Sequence, residues 1–422
     1  MALDAEEFRR RRQARQEARA RKKAQQKSLW IKLGIAAAVL VLCAVLILVL
    51  ATPESSDEAS TTQATEQTAP QTTGAPVDEN TTVIHIAAAG DLNITESVTA
   101  SGSPETGYTE AFLDMAPILA QADITAVNLE GSFYGAPYGE DRSAPDSLAH
   151  SLSAAGVDLI QLANSYSIYK GMDGLASTVE TIRNAGMEPV GAYATAAEAK
   201  EGGGYTLRTV RDVKVAFVAF TKGMDGMALP PGNESCVNLL YTDYASDYQI
   251  VNTEGITDLL DAVKKEKPDI VVALVHWGSE YNNTVSESQQ EICKLLQDNG
   301  VDAVIGTHSH YVQQMTLDET TGQFVAYSLG DFFGDADRSG SEYSVILDLE
   351  ITKDHKSGDT KITGFDYTPI YTVEEEGKPL RLMRIREAMA GYDTQYIDAI
   401  SQTTYEAMQY ALTRIDARIK GE

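Results

Sequence analysis

Three cysteines in 422 residues are too few to build a disulfide scaffold. Cys43 lies inside an apolar run, and Cys293 follows Ile292 in a helical pattern, as small core residues do; a Cys236–Cys293 pairing stays open. Basic charge is equally scarce beyond the first segment. Residues 1–32 hold 11 Lys/Arg against 4 Asp/Glu, which leaves 23 basic and 57 acidic residues for the rest of the chain. A body with that excess of acid repels nucleic acid and other polyanions at long range. Nucleic acid is therefore excluded as a general partner, and an anionic substrate has to be drawn in locally. No Gly-x-Ser-x-Gly and no phosphate-binding loop pattern occurs. Ser167 and Lys170 match Ser-x-x-Lys, but without a Lys-Thr-Gly companion they do not make a serine acyl enzyme.

What is present begins with an address. Residues 1–32 are an arginine-rich tail expected to stay cytoplasmic, and residues 33–51 run nineteen positions without a charge. As a helix that run is about 28 Å long, close to the ~30 Å hydrocarbon core of a bilayer. Trp30 and Lys32 stand where interfacial anchors belong, with basic residues before the span and acidic ones after it. The expectation is a single transmembrane helix with the carboxyl-terminal body outside the cell. Residues 52–82 are rich in Thr, Gln, Ser and acid, too polar to bury a core, and read as a disordered tether.

Beyond the tether, strand-like and helix-like stretches alternate. Strands are expected over 82–89, 124–129, 158–162, 213–220, 270–275 and 301–305, and helices over 112–121, 146–155, 174–185, 256–265 and 286–299. Three shorter strands, 311–317, 324–329 and 343–351, follow in hairpin-like succession, and 401–419 closes the chain as an amphipathic helix. The pattern calls for an α/β fold with a mixed sheet or two-sheet sandwich flanked by helices.

Three of the six histidines fall where strands end: His276 after 270–275, and His308 and His310 after 301–305. The stretch between them has helical spacing, so the whole is a strand–helix–strand unit with parallel strands. Open α/β sheets bind ligands beyond the carboxyl ends of such strands. Asp91, Glu130 and Asn164 follow three other strands in the same way. Imidazole nitrogens with carboxylate oxygens suit Zn, Mn or Fe, in one or two ions. Residues two apart in extended chain point the same way, so His308 and His310 are expected to converge. His85, His150 and His355 lie apart from this series and are expected to play no part in it.

These motifs, in order, resemble one family. Asp91 in AAAGDL, Asn128-Leu129-Glu130, Leu162-Ala163-Asn164 with a following GMDGL, HWGSEY from His276, GTHSH from Gly306 and YSLGDF from Tyr327 are similar to the CapA proteins. That family is associated with capsule and poly-γ-glutamate synthesis, and its fold resembles calcineurin-like metallophosphoesterases. The resemblance spans about residues 82–369. It implies a metallophosphoesterase-like α/β sandwich over 83–372 with a helical extension over 373–422. It further implies that Asp91 and His310 serve one metal, His276 and His308 a second, and Glu130 bridges them. Asn128, Trp277 and Glu280 match positions that support the pocket.

The chain departs from the family where the resemblance implies Asn-Asn-His, which is Asn164-Ser165-Tyr166 here. The following Asp is Tyr169, Gly-Asn-Phe has become Gly330-Asp331-Phe332, and a proline between the last two histidines is Ser309. With Asn164 and Tyr166 left at the catalytic corner, tyrosine replaces histidine, and its ordinary pKa of ~10 makes it a weaker proton shuttle near neutrality. Two functions follow from the resemblance. One is an envelope-anchored ester hydrolase or transferase in polymer assembly. The other is a non-catalytic module on the same fold that grips an envelope polymer or its synthase.

Overall fold

The computed structural model describes residues 80–336, 338–394 and 400–422, within a unit spanning 75–422. The expected basic tail, transmembrane helix and tether up to residue 79 lie outside the described residues. In chain order the first elements are β1 (Thr81–Asn93), α1 (Glu96–Ala100), α2 (Ala116–Leu119), β2 (Ile124–Glu130), α3 (Asp146–Ala154), β3 (Leu159–Gln161), α4 (Gly171–Asn184) and β4 (Glu188–Val190). Next come α5 (Ala196–Gly202), β5 (Tyr205–Val210), β6 (Val213–Thr221), α6 (Thr253–Lys265), β7 (Ile270–His276), α7 (Glu287–Asp298) and β8 (Ala303–Thr307). The chain closes with β9 (Met315–Asp318), β10 (Gln323–Ala326), β11 (Asp331–Phe333), β12 (Tyr343–Asp354), β13 (Thr360–Val373), β14 (Arg381–Arg384), α8 (Ile385–Asp393) and α9 (Gln402–Lys420).

Alternation along the strands sets the layers. In β6, Val213, Val215, Phe217 and Ala219 enter one core, while Ala216, Val218 and Phe220 enter another. In β7 the split is Ile270, Val272 and Leu274 against Val271, Ala273 and Val275. Period-two strands buried on both faces are the centre of a sheet covered on both sides. One cover is helical: Ile256, Leu260 and Val263 of α6 and Ile292, Cys293 and Leu296 of α7 share a core with the second face. The other cover is a second sheet, whose Ile84, Ile86, Leu347 and Leu349 join the larger core.

The sheet just described runs β5-β6-β7-β8-β10-β9, and its partner runs β14-β13-β12-β1-β2-β3-β4 with β11 also paired to β1. Parallel pairing of β7 with β8 around α7 is the strand–helix–strand unit read from the sequence. Ser286 and Gln289 close a capping box on α7, and Cys236 and Cys293 are buried free thiols rather than a bridge.

Several boundaries differ from expectation for local reasons. Only Ala116–Leu119 of the stretch 112–121 is α-helical. Pro117 stands in its first turn, where its missing N–H is no loss, but a helix begun at 112 would need that N–H to donate to the Leu113 carbonyl. β1 starts at Thr81, so the tether ends before the strand, and it continues four residues past Ala89. The expected strands 311–317 and 324–329 shorten to β9 and β10. Residues 373–422 are not a purely helical extension, because β14 adds to the second sheet beside β13, with Ile370 opposite Arg384.

Candidate metal centre

The site assembles where β1, β2, β7 and β8 end and β11 begins. β1 runs parallel to β11 with Asp91 opposite Asp331, and parallel to β2 with Asn93 opposite Glu130. Gly90 permits the first pairing, since a Cβ there would lie 1.7 Å from the Gly330 carbonyl oxygen. That same carbonyl accepts the Asp91 N–H at 3.0 Å. Across the other sheet, Thr221, His276 and Thr307 stand side by side at the ends of β6, β7 and β8. Gly306 has the same necessity as Gly90, with a Cβ that would meet the Tyr327 carbonyl oxygen at 2.0 Å.

Beyond β8 the backbone leaves the extended region. His308 and His310 take φ of 88° and 58°, conformations that non-glycine residues adopt at a cost of order 1–3 kcal/mol. This corrects the expectation that they converge as alternate residues of a strand. Their rings lie 6.4 Å apart and join two neighbouring groups. Glu130, His276 and His308 form one, Asp91, His310 and Asp331 the other, and within each the offered ligand atoms lie within 4.8 Å of one another.

In the first group, His276 Nε2 lies 3.1 Å from Glu130 Oε1 and 3.1 Å from the Ser165 hydroxyl, and Nδ1 lies 2.9 Å from the Thr307 hydroxyl. Among the described residues Glu130 Oε1 and both ring nitrogens of His308 are buried without a hydrogen-bond partner. Buried polar atoms left so are costly, by about 1–3 kcal/mol each, and rare. Three of them in one nitrogen–oxygen cluster fit a divalent transition metal. Burial holds the protonated forms of His276 and His308 well below the ordinary histidine range, so both present lone pairs at neutral pH. Burial, reinforced by Asp91, pushes the Glu130 carboxyl well up.

In the second group, Asp91 accepts hydrogen bonds from Asn128 Nδ2 at 2.6 Å and from the His308 backbone N–H at 2.9 Å. Burial raises its carboxyl to about 6. His310 Nδ1 lies 2.7 Å from Asp331 Oδ1. Burial lowers the His310 imidazolium, but the charge and hydrogen bond of Asp331 outweigh it and carry the pKa up to about 10. Asp331 is the donor that sequence reasoning missed. The signal was the aspartate in Gly330-Asp331-Phe332, noted there as a departure only.

The supporting residues divide. Asn128 bridges Asp91 to Asn164, whose Nδ2 donates to Asn128 Oδ1 at 3.0 Å and to the Leu129 carbonyl at 2.7 Å. Asn164 Oδ1 accepts the Tyr166 N–H, so this side chain is spent on positioning. Tyr166 is half-buried under the Arg142 guanidinium, 3.9 Å from its ring centroid, and burial pushes its phenol up to about 12. Trp277 points away into the helix-side core, stacked on Tyr327 and donating to its carbonyl at 2.9 Å. Glu280 is exposed, and Ser167 serves its own turn by donating to the Leu162 carbonyl. His85 pairs with Asp348 and His355 contacts Thr82, away from the donors.

Comparison with known proteins gives the family. The family model for bacterial capsule synthesis protein PGA_cap matches residues 85–336. Capsule biosynthesis protein CapA of Bacillus anthracis is 25% identical over 282 residues, 65% of this chain and 64% of that protein. PGA biosynthesis protein CapA of Bacillus subtilis is 24% identical over 66% of this chain and 69% of its own length. The chain therefore spans just under two thirds of the first of these relatives. Among solved structures, the calcineurin-like phosphoesterase YfkN from Bacillus subtilis is 15% identical with a TM-score of 0.41, covering 79% of this chain and 99% of that one.

Proposed function

The chain belongs to the bacterial capsule synthesis protein family PGA_cap, and on that premise we propose a metal-dependent ester hydrolase or transferase acting in assembly of an anionic envelope polymer. The observation that carries this reading is the pair of adjacent donor triplets with orphaned buried nitrogens and oxygen. Glu130, His276 and His308 would hold one ion, and Asp91, His310 and Asp331 another. When bound, Zn, Mn or Fe ions in such a pair supply Lewis acidity and charge neutralisation to phosphoryl or acyl transfer.

The chain's own groups do the positioning. The Thr307 hydroxyl on Nδ1 orients the His276 ring, leaving Nε2 toward Glu130. Asn128 and the His308 N–H fix the Asp91 carboxylate. Tyr166 stays protonated at neutral pH and would offer a bound substrate a hydrogen bond without giving up its proton, which suits a leaving group that needs little protonation. Residues 33–51 would anchor the enzyme in the membrane, with the body extracytoplasmic beside a polymer synthase.

A second reading is a non-catalytic polymer- or synthase-binding module, favoured by Ser165 and Tyr166 at the acid corner. Turnover of bis(p-nitrophenyl) phosphate by the full chain separates the two. Metal-dependent hydrolysis that His308→Ala reduces at least 100-fold supports the enzyme; metal-loaded protein without turnover supports the module.

A further inference from the structure

Each donor triplet has a guanidinium laid on a tyrosine at its flank. Arg142 lies 3.9 Å from the Tyr166 ring centroid, in the loop that folds back on Gly131 just after Glu130. Arg338 lies 4.3 Å from the Tyr281 ring centroid, and Tyr281 stacks on His310 at 4.9 Å. The two arginines come from different loops, after β2 and after β11, so their placement at opposite triplets is a product of the fold rather than of sequence proximity.

The state of Arg142 is informative. The chain carries 61 acidic against 34 basic residues, and many cations of the domain meet a carboxylate, as Lys170 does Asp141 and Arg208 does Glu188. Among the described residues Arg142 Nη1 is buried without any hydrogen-bond partner, whereas Arg338 is exposed and held at the site by its stacking on Tyr281. A buried guanidinium N–H left so costs free energy unless an oxyanion completes it. The nearby Lys222 differs, since its ammonium donates to the Gly278 carbonyl at 2.9 Å. Stacking on a ring fixes the plane of a guanidinium while leaving its N–H edge open for a bidentate contact.

We propose that Arg142 and Arg338 form a two-ended clamp for a ligand bearing at least two anionic groups, held across the two donor triplets. This rests on the proposed site but not on its catalysis. The clamp supplies the local attraction that an otherwise acidic body needs. A ligand with one charge engages one end only, so the site selects for repeated carboxylates or phosphates. Tyr166 and Tyr281 act as rigid backing for the two ends.

The test is equilibrium binding to the detergent-solubilised full chain, with hexaglutamate as the polycarboxylate, tripolyphosphate as the polyphosphate, and acetate as the single-charge control. The wild-type protein is expected to bind at least one of the two polyanions at least tenfold more tightly than acetate. Arg142→Gln and Arg338→Gln are each expected to weaken that binding about tenfold and the double variant about 100-fold. The log–log salt slope should fall by about one for each arginine, with the lysine variants restoring the slope but not the affinity. Metal content, measured alongside, is expected to be unchanged in every variant. Polyanion binding that ignores both substitutions, or no preference over acetate, overturns the clamp. Arginine-dependent binding to metal-free protein sustains the clamp even where metal analysis defeats the proposed site.

Discussion

At the scale of single residues, Asp331 carries the sharpest consequence. Its carboxylate holds His310 as an imidazolium at 2.7 Å, with a pKa of about 10. Filling the second triplet at pH 7 must expel that proton, so metal binding is expected to release at least one proton. Its affinity for that triplet should rise about tenfold per pH unit toward pH 10. Titration calorimetry in buffers of differing ionisation enthalpy reads the release. Asp331→Asn, which restores the residue the family resemblance implies, should abolish the release at pH 7 and weaken one of two metal sites at least tenfold, leaving the other intact. The same pair has a sign for the metal-free fold: a raised histidine stabilises fully below its ordinary pKa of 6.5, and that contribution is lost as pH rises through about 10. Asp91, raised to about 6, has the same sign in a lower window, destabilising the metal-free fold as pH climbs from 3.8 through 6.

Residue types at strand ends were legible because histidine and acid after an apolar run stand out, and five expected donors meet in the two triplets. What could not be read was backbone geometry. Two left-handed residues in a row of three send His308 and His310 to different groups, and no composition rule marks a non-glycine residue for that conformation. Asn164 illustrates the converse, a residue in the expected place whose amide is consumed by Asn128 and Leu129.

At the scale of elements, α7 and α9 hold the metal loop from two sides. Gln289 at the start of α7 donates to Gln313 at 3.0 Å, three residues after His310. Arg418 of α9, 8% exposed, lies 4.7 Å from the ring centroid of Tyr311, the residue after His310, and 5.2 Å from that of Tyr343. Arg418→Ala is therefore expected to weaken metal binding several-fold as well as to lower the unfolding midpoint, read by calorimetry and by thermal melts. Leu296→Ala in the helix-side core should cost roughly 2–5 kcal/mol of stability with metal affinity unchanged. Long period-two strands such as β6 and β7 were legible in the sequence. Three-residue strands such as β4 and β11 were not, because they are set by neighbours across the sheet rather than by their own pattern.

At the scale of the whole molecule, the acidic body and basic tail predict a division of labour. The body should show no measurable affinity for duplex DNA at physiological salt, checked by gel shift. The full chain should stay with membranes through alkaline extraction, and protease added to intact cells should digest the region after residue 82 while sparing the tail. Release by alkali, or protection of the body, would count against the anchored, extracytoplasmic arrangement.

The central claim is that two adjacent triplets bind two ions. Elemental analysis of the full chain, purified without chelator and then dialysed against a small excess of Mn, Zn or Fe, tests it most directly. The account predicts about two equivalents of transition metal, falling to about one in Asp331→Asn. Less than a tenth of an equivalent under the same conditions would contradict it.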